Sequence, residues 1–288
     1  MSEIAILLTS YNRKENTLNC LKSIYSQTND TDNNYHVFLV IDGSTDGTLE
    51  AVTNTFPKVN TIEGNGSLYW AGGMRFCYEF ASKSPTKFDF FLLLNDDTVL
   101  YHNALDLLFL DFHSLPSDLS LLIGSTEGEN PRIDKFTYGG RLLMNKYNSN
   151  SSIVLPNDTN PQLCHLGNAN IMLIPSKTIS KIGFLSTKFT HGIADFEYTL
   201  RAKKNGIKSY VTSKYLGICH IGDNQTKDWA SSSNTLKERI NYLYSPKGLA
   251  YKEYLYYIKT YFPYYFPQAW SMLWIKTFFP FIWDKLKK

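Results

Sequence analysis

Short apolar segments alternate with amphipathic segments over the first hundred residues of the chain. Continuous apolar runs of strand length lie at 4–8 and 37–41, and the range 88–94 is apolar apart from Asp89. Between them, 17–27 and 49–56 carry apolar residues at helical spacing. Unbroken apolar runs are typical of strands covered on both faces, and strands separated by helices imply parallel β-α-β units. The pattern therefore predicts an α/β fold with a mostly parallel sheet flanked by helices.

The second part of the chain is less regular, and its middle segment, 127–162, is polar and rich in turns. We expect two arms of a hairpin inside this segment, at 138–144 and 153–155. The pattern also predicts helices at 75–82, 104–113, 175–182 and 195–205, and strands at 60–63, 121–124, 170–174, 208–212 and 216–220.

Acidic turns follow two of the predicted strands. Asp42 comes directly after 37–41, and Asn95, Asp96 and Asp97 come directly after 88–94. Ligands of open parallel sheets bind beyond the carboxyl ends of the strands, so we expect these carboxylates to line one crevice. Carboxylate oxygens at this position can bind Mg²⁺ or Mn²⁺, and the bound metal can in turn bind phosphates. The alternative for the acidic pair is a turn and a helix cap.

Five motifs follow one another in a specific order. They are TSYNR at 9–13, IDGSTDGT at 41–48, GNGSLYWAGG at 64–73, LLLNDDT at 92–98 and ADFEYTLRAKKNG at 194–206. In this order the chain resembles the family 2 inverting glycosyltransferases, in particular their rhamnosyltransferase-like branch, over roughly 3–222. The resemblance implies a GT-A fold, which is Rossmann-like. It also implies sugar transfer from a nucleotide donor in bacterial surface polysaccharide synthesis, with dTDP-rhamnose as the first expected donor and a UDP-sugar as the second.

The resemblance also assigns the donor site. Asp42 is expected to meet the nucleobase or ribose, Asp96 the ribose, and Asp97 the Mg²⁺ or Mn²⁺ that bridges the two phosphates. Asn95 stands where the family often has Asp, so metal binding is expected to depend on the donor's own phosphates. The remaining donor-site candidates are Thr9, Tyr11, Arg13, Gly66, Trp70 and Arg75.

Two of the implied contacts have an equally simple alternative. His220, at the end of a predicted strand, is expected to contact the metal or the diphosphate, but it is otherwise a polar strand end. Arg75 is expected to reach the phosphates through a charge-assisted hydrogen bond, but it is otherwise a solvated charge on a helix.

Asp195 is the expected catalytic residue. Inverting transfer is a single displacement in which the acceptor hydroxyl loses a proton, and a nearby carboxylate serves as general base. Asp195 matches the Asp of the family's glutamate-aspartate motif, although Ala194 replaces the preceding Glu. Glu197 is the substitute base, and the alternative for both acids is a favourable charge at a helix N-terminus. Because sugars pair with aromatic faces and a few polar groups, the acceptor-site candidates are Tyr69, Trp70, His191 and Glu197.

The C-terminal segment is unusually aromatic, with 15 aromatic residues between 251 and 283. Residues 251–288 also carry six lysines, namely Lys252, Lys259, Lys276, Lys285, Lys287 and Lys288. Tyr and Trp favour membrane interfaces, and lysines are attracted to anionic lipid. We therefore expect an aromatic helical extension over 246–288 that binds an anionic membrane surface. The alternatives are helices packed on the catalytic domain or a homodimer contact.

We expect the preceding residues, 1–245, to form the GT-A domain. Its nucleotide-sugar-binding half is predicted at 1–100, and its acceptor and catalytic half at 101–245. The acceptor is expected to be a glycan or a lipid-linked glycan.

Composition and missing motifs exclude several classes of protein. A net charge of +3 is too small to indicate nucleic-acid binding, and four separated cysteines exclude a zinc ribbon. The chain shows neither an export signal nor an apolar run long enough to span a bilayer, so we expect a cytoplasmic enzyme, peripheral on the inner face of the plasma membrane.

Two other functions stay open. One is a catalytically silent glycan-binding or scaffold protein, which Ala194 and Asn95 favour. The other is a sugar nucleotidyltransferase, which normally has a glycine-rich loop after the first strand, whereas 9–13 contains no glycine.

Overall fold

The computed structural model describes residues 1–27, 33–130, 135–220 and 229–286. Lys287 and Lys288 of the aromatic segment lie outside these described residues, as does part of the polar segment 127–162.

A nine-stranded mixed sheet forms the centre of the molecule. The strands of the protein are β1 (Ser2–Ser10), β2 (Asn33–Ile41), β3 (Asn60–Glu63), β4 (Phe90–Leu94), β5 (Thr98–Leu100), β6 (Leu121–Glu127), β7 (Gly140–Leu143), β8 (Ser151–Val154), β9 (Gln162–Cys164), β10 (Leu166–Gly167), β11 (Ile171–Pro175) and β12 (Ser209–Cys219). The order in the central sheet is β3-β2-β1-β4-β11-β6-β12-β5, and β9 pairs with β12. The first four strands are parallel, as predicted, whereas β11 runs antiparallel to both of its neighbours.

Helices cover both faces of this sheet. They are α1 (Lys14–Tyr25), α2 (Thr48–Thr55), α3 (Tyr69–Ala81), α4 (Ala104–His113), α5 (Ser176–Ile182), α6 (Ala194–Lys204), α7 (Leu236–Tyr244), α8 (Tyr251–Tyr261), α9 (Phe266–Phe278) and α10 (Pro280–Leu286). Alternate residues of β1 enter opposite cores: Ile6 packs in the cluster that contains Leu21 of α1, and Leu7 in the cluster that contains Met74 of α3. Burial on both faces explains why β1 is continuously apolar.

The hairpin expected in the polar segment is present. Strands β7 and β8 pair antiparallel, and β10 adds to β7 to complete a second, three-stranded sheet.

Two expected boundaries were wrong. Helix α3 begins at Tyr69 instead of residue 75, so the second half of the glycine-rich stretch, 69–73, is helical. Gly73 is required in this helix because a Cβ at its position would lie 2.2 Å from Thr9 Oγ1. The two strands expected at 208–212 and 216–220 form one strand, β12, whose register against β6 shifts near Tyr215.

The C-terminal helices divide into a packed part and an exposed part. Helix α8 buries Tyr257 and Ile258 in a cluster with Phe189, Ala194 and Leu200 of the preceding domain. Helices α9 and α10 expose a group of large apolar side chains, which are Trp270, Ile275, Phe278, Phe279, Phe281 and Ile282. None of the helices in the described part of the chain has the length and apolar content to cross a bilayer.

Candidate active site

The carboxyl ends of β1, β2 and β4 meet at one edge of the sheet, because the three strands are parallel and in register. The turns that follow β1 and β2 are joined by hydrogen bonds. The Asn12 backbone N–H donates to Ser44 Oγ at 2.9 Å, and the Thr45 N–H donates to Asn12 Oδ1 at 2.8 Å. The turn that carries Tyr11 and Arg13 is thereby fixed beside the turn that carries Asp42.

The buried Asp42 carboxylate fixes the glycine-rich stretch. Its Oδ1 accepts from the Gly66 N–H at 2.7 Å, and its Oδ2 accepts from the Leu68 N–H at 2.9 Å. Gly66 has a φ of +83°, and a Cβ on Gly43 would lie 2.7 Å from Gly66 Cα, so both positions favour glycine. Asp42 therefore shapes the loop that enters α3.

The start of α3 connects this loop to the acidic turn. Trp70 Nε1 donates to Asn95 Oδ1 at 2.8 Å, and the Trp70 N–H donates to His191 Nδ1 at 3.4 Å. The Tyr69 ring lies edge-on to the His191 ring, with centroids 6.2 Å apart. Burial, Lys247 and Arg13 lower the pKa of His191, so its ring is neutral near pH 7. Asn95 thus positions the Trp70 side chain instead of carrying charge.

Arg13 pairs with both acids of the turn after β4. Its Nη1 lies 2.6 Å from Asp97 Oδ2 and 3.2 Å from Asp96 Oδ1. Asp97 Oδ1 accepts from the Cys219 thiol at 3.5 Å. Asp96 is only 5% exposed, and its Oδ2 has no hydrogen-bond partner among the described residues. A buried acceptor without a donor is costly and is suited to a hydroxyl group of a ligand.

A divalent cation would fit this turn only with help from a ligand. No cluster of three or more His, Cys, Asp or Glu side chains in the described ranges could hold a metal. Asp97 offers a carboxylate that is 23% exposed, and Mg²⁺ commonly binds through one or two carboxylates and the phosphates of a substrate. The donor set fits a metal that arrives with a diphosphate.

His220 does not join the acidic turn. Its Nε2 lies 2.8 Å from Glu129 Oε1 and its side chain is largely exposed, so its placement does not support the expected metal contact. Cys219, the preceding residue, faces Asp97 instead. Burial and the Asp97 charge raise the pKa of Cys219 to about 12, so it donates as a thiol.

Asp195 lies in the first turn of α6 and is partly buried. Its Oδ1 accepts from the Phe196 N–H at 2.7 Å, and its Oδ2 accepts from the Ala169 N–H at 3.3 Å and from Asn168 Nδ2 at 3.4 Å. Burial raises the pKa of Asp195 above its usual range, although the backbone donors oppose this shift. The residue before the helix, Ile193, has a φ of +69°, a strained conformation for a β-branched side chain.

A short hydrogen-bonded path joins the acidic turn to Asp195. Asn170 accepts the Asn95 N–H at 3.0 Å with its carbonyl, and its side-chain Nδ2 lies 3.3 Å from Cys219 Sγ. Ala169, the residue before Asn170, donates its backbone N–H to Asp195 Oδ2. Asp97 and Asp195 are thus linked by one hydrogen-bonded frame, made of Cys219, Asn170 and Ala169, at the carboxyl edge of the sheet.

Arg75 and Glu197 are engaged elsewhere. The Arg75 Nη1 donates to the carbonyls of Ser186 and Phe189 at 2.8 and 2.9 Å, so this nitrogen holds the loop at 186–189. Glu197 is buried between Arg201 Nε at 3.1 Å and Tyr261 Oη at 2.8 Å, which makes it a structural acid. We therefore omit both residues from the proposed site.

The remaining donor candidates lie on or beneath the same edge. Thr9 packs against Gly73 of α3, whereas Tyr11 is half exposed and has Lys247 Nζ 5.7 Å from its ring centroid.

The C-terminal extension supplies site residues that sequence reasoning missed. Glu253 of α8 accepts from the Thr190 N–H at 2.9 Å and from Thr190 Oγ1 at 2.6 Å, so it fixes the loop that carries His191. Tyr257 is buried, its hydroxyl has no partner in the described part of the chain, and burial and the Asp195 charge raise its pKa. No motif marks these residues, because they act through tertiary contacts. For Tyr257 the unusual aromatic composition of the segment was a signal in the sequence, whereas nothing in the sequence pointed to Glu253.

Asp96→Asn is expected to stabilise the ligand-free protein at neutral and higher pH. Burial raises the pKa of Asp96 to about 6, so the fold favours the protonated acid and loses stability as the pH rises from about 4 to about 6. The variant avoids this loss, which amounts to at most about 3 kcal/mol for a shift of about two pH units. Thermal unfolding of both proteins checks this. A gain in Tm above pH 6 that vanishes near pH 4 is expected, and a gain independent of pH would contradict the assignment.

Comparison with known proteins identifies the family. The family model described as "Glycosyl transferase family 2" matches residues 5–155, more than half of the chain. The chain belongs to glycosyl transferase family 2. The expected enzyme class, a glycosyltransferase, is confirmed at this level. No curated protein matches the sequence significantly.

Solved structures of glycosyltransferases share the fold. The mannosyltransferase PcManGT from Pyrobaculum calidifontis, in complex with GDP-Man and Mn²⁺, aligns with a TM-score of 0.59 at 13% identity, over 95% of this chain and 72% of its own. Residues 1–349 of TarS from S. aureus in complex with UDP align with a TM-score of 0.57 at 14% identity, over 94% and 75%. The same TarS fragment with UDP-GlcNAc gives 0.56 at 16% identity, over 91% and 73%. These similarities confirm the GT-A architecture of this glycosyltransferase.

Proposed function

We propose that this glycosyltransferase moves a sugar, with inversion, from a nucleoside diphosphate donor to a hydroxyl of a glycan or lipid-linked glycan. dTDP-rhamnose is the first donor to test and a UDP-sugar the second, in bacterial surface polysaccharide synthesis. The observation that carries the proposal is the hydrogen-bonded frame from Asp97 through Asn170 and Ala169 to Asp195. This frame supports a proposed cation site at Asp97 and a proposed carboxylate base at Asp195, both at one edge of the sheet.

Residues 1–100 form the donor half in this proposal. The exposed Tyr11 ring offers a face for the nucleobase, and Asp42 holds the loop beside it. Asp96 Oδ2, which has no hydrogen-bond partner among the described residues, suits a ribose hydroxyl, because that O–H group can donate to it. Asp97 would hold Mg²⁺ or Mn²⁺, which supplies charge neutralisation for the departing diphosphate when bound.

Residues 101–245 supply the base. The acceptor hydroxyl gives its proton to Asp195 while its oxygen forms the bond to the anomeric carbon, and the bond from that carbon to the diphosphate breaks with its electron pair on the phosphate oxygen. The raised pKa of Asp195 strengthens it as a base. Trp70, Tyr69 and the neutral His191 lie together on the side of α3 and offer aromatic faces for a sugar.

Release of nucleoside diphosphate tests this function. The full chain is incubated with dTDP-rhamnose or UDP-sugars, Mn²⁺ or Mg²⁺ and candidate acceptors, and free diphosphate is measured. Donor-specific, acceptor-stimulated release is expected. Glycan binding with no release from any donor would favour the scaffold function, and pyrophosphate release from a nucleoside triphosphate and a sugar phosphate would favour a nucleotidyltransferase.

We further propose that the exposed face of α9 and α10 contacts an anionic membrane. This face combines half-exposed aromatic side chains with lysines such as Lys276, whose Nζ lies 3.8 Å from the Trp283 ring centroid. Such a combination is typical of interfacial helices. Because α8 packs on the catalytic domain, truncation would damage the fold, and surface substitutions are the better test.

Phe278, Phe279 and Phe281 changed together to Ser are expected to lower binding to anionic vesicles by more than about tenfold, because each buried ring is worth about 1.5–3 kcal/mol. Cosedimentation measures this, with Leu110 and Met144, which are also exposed, changed to Ser as control. Unchanged sedimentation of the triple variant would contradict a membrane face. A change from dimer to monomer in light scattering would instead identify a contact between two copies.

A further inference from the structure

Arg13 pairs with Asp97, the residue that the proposed function assigns as the metal ligand. Its Nη1 is 2.6 Å from Asp97 Oδ2, while the Cys219 thiol donates to Asp97 Oδ1. Both oxygens of Asp97 therefore have a partner within the protein.

A guanidinium and a divalent cation cannot share Asp97 Oδ2 at contact distance. Like charges a few ångströms apart repel by several kcal/mol even at a moderate effective dielectric. Arg13 therefore already neutralises part of the negative charge of this turn in the free protein, and an incoming cation must first displace its guanidinium.

A donor diphosphate bound at the same edge would offer the displaced Arg13 side chain a second partner. Arg13 precedes α1 in the turn after β1, and its side chain is 47% exposed, so it can change rotamer without unpacking a core. A planar guanidinium matches the paired oxygens of a diphosphate better than a single carboxylate oxygen.

We propose that Arg13 releases Asp97 and pairs with the donor diphosphate when the donor and the cation bind. The cation and the diphosphate then bind as a coupled pair, and each binds weakly alone. This proposal rests on the proposed function, because it concerns the same donor. It goes further in assigning the coupling to one residue. Coupling is reciprocal: UDP or dTDP must raise Mn²⁺ affinity by the same factor by which Mn²⁺ raises the affinity of the nucleotide.

Titration of the full chain with Mn²⁺, followed by electron paramagnetic resonance of the free ion, tests the exchange without any turnover. The proteins are the wild type, Arg13→Gln, Arg13→Lys and the control Lys14→Gln, which removes the same charge from the adjacent residue. Each is titrated alone and with UDP or dTDP, after circular dichroism has shown that it is folded.

Without nucleotide, Arg13→Gln is expected to bind Mn²⁺ at least about tenfold tighter than the wild type, because the competing cation is gone. The gain in Mn²⁺ affinity on adding nucleotide is expected to shrink by a similar factor. Arg13→Lys keeps a positive charge but lacks the planar guanidinium, so its Mn²⁺ affinity is expected to lie between those of the wild type and Arg13→Gln. The Mn²⁺ affinity of Lys14→Gln is expected to match that of the wild type.

Equal Mn²⁺ affinity of Arg13→Gln and wild type would overturn the exchange and leave sugar transfer intact. An equal gain in Lys14→Gln would overturn it too, because it would indicate general electrostatics. Failure of every protein to bind Mn²⁺ even with nucleotide would overturn the exchange together with the metal site of the proposed function.

Discussion

Asp195→Asn lowers the rate of sugar transfer by about 10²–10⁴, the usual contribution of a general base, with little change in donor affinity. The amide cannot take the acceptor's proton, whereas the proposed donor site lies at the turn after β4. The wild-type rate is expected to rise with pH through a pKa above the usual aspartate range, because burial raises the pKa of Asp195, and the variant is expected to lose this dependence. Steady-state kinetics across pH, with calorimetric titration of the donor, measure both effects.

Glu197→Gln is the matched control for this prediction. Glu197 is two residues away on the same helix but is buried against Arg201 and Tyr261. The control is expected to lower Tm and to retain turnover at temperatures where it is folded. If Glu197→Gln lost turnover while Asp195→Asn kept it, the base would be Glu197 and the assignment of Asp195 would be wrong.

If Asp97 holds the metal as proposed, Asp97→Asn is expected to weaken metal-dependent donor binding by more than about 100-fold. Loss of groups that only support metal ligands costs about 10–100-fold, so loss of the ligand charge costs more. Calorimetry of UDP or dTDP with Mn²⁺ measures this, and chelation of the metal should weaken binding to the wild type far more than to the variant.

Asp89→Asn is the control for the metal position. Asp89 precedes β4, at the opposite end of the strand from Asp97, and its Oδ2 accepts from the Glu3 N–H. Its removal is expected to leave donor binding unchanged. Retention of metal-dependent binding by Asp97→Asn would contradict the metal assignment.

The sequence predicted the sheet and the meeting of the acidic turns because both follow from local patterns. An apolar run such as β4 is buried whatever its neighbours are, and parallel strands bring their carboxyl ends to one edge. The order of the five motifs also predicted the family, which the match to the family model confirms. The start of α3 was missed because Gly72 and Gly73 are typical of loops, whereas here Gly73 allows the helix to approach Thr9.

Residue roles that depend on distant partners could not be predicted. Arg75 lies beside the glycines as a phosphate-binding residue would, but its partners are carbonyls more than a hundred residues away. His220 directly follows the last residue of β12 instead of ending the strand, and its ring pairs with Glu129. Aromatic composition likewise indicated an interface without distinguishing the buried Tyr257 from the exposed Phe281.

Anomalous diffraction from crystals grown with Mn²⁺ and UDP or dTDP would locate the cation and the nucleotide within the fold. We expect a manganese peak beside the Asp97 carboxylate, the diphosphate next to it, and Asp195 facing the same cavity. Manganese and nucleotide bound on a surface that excludes Asp97 would contradict the account.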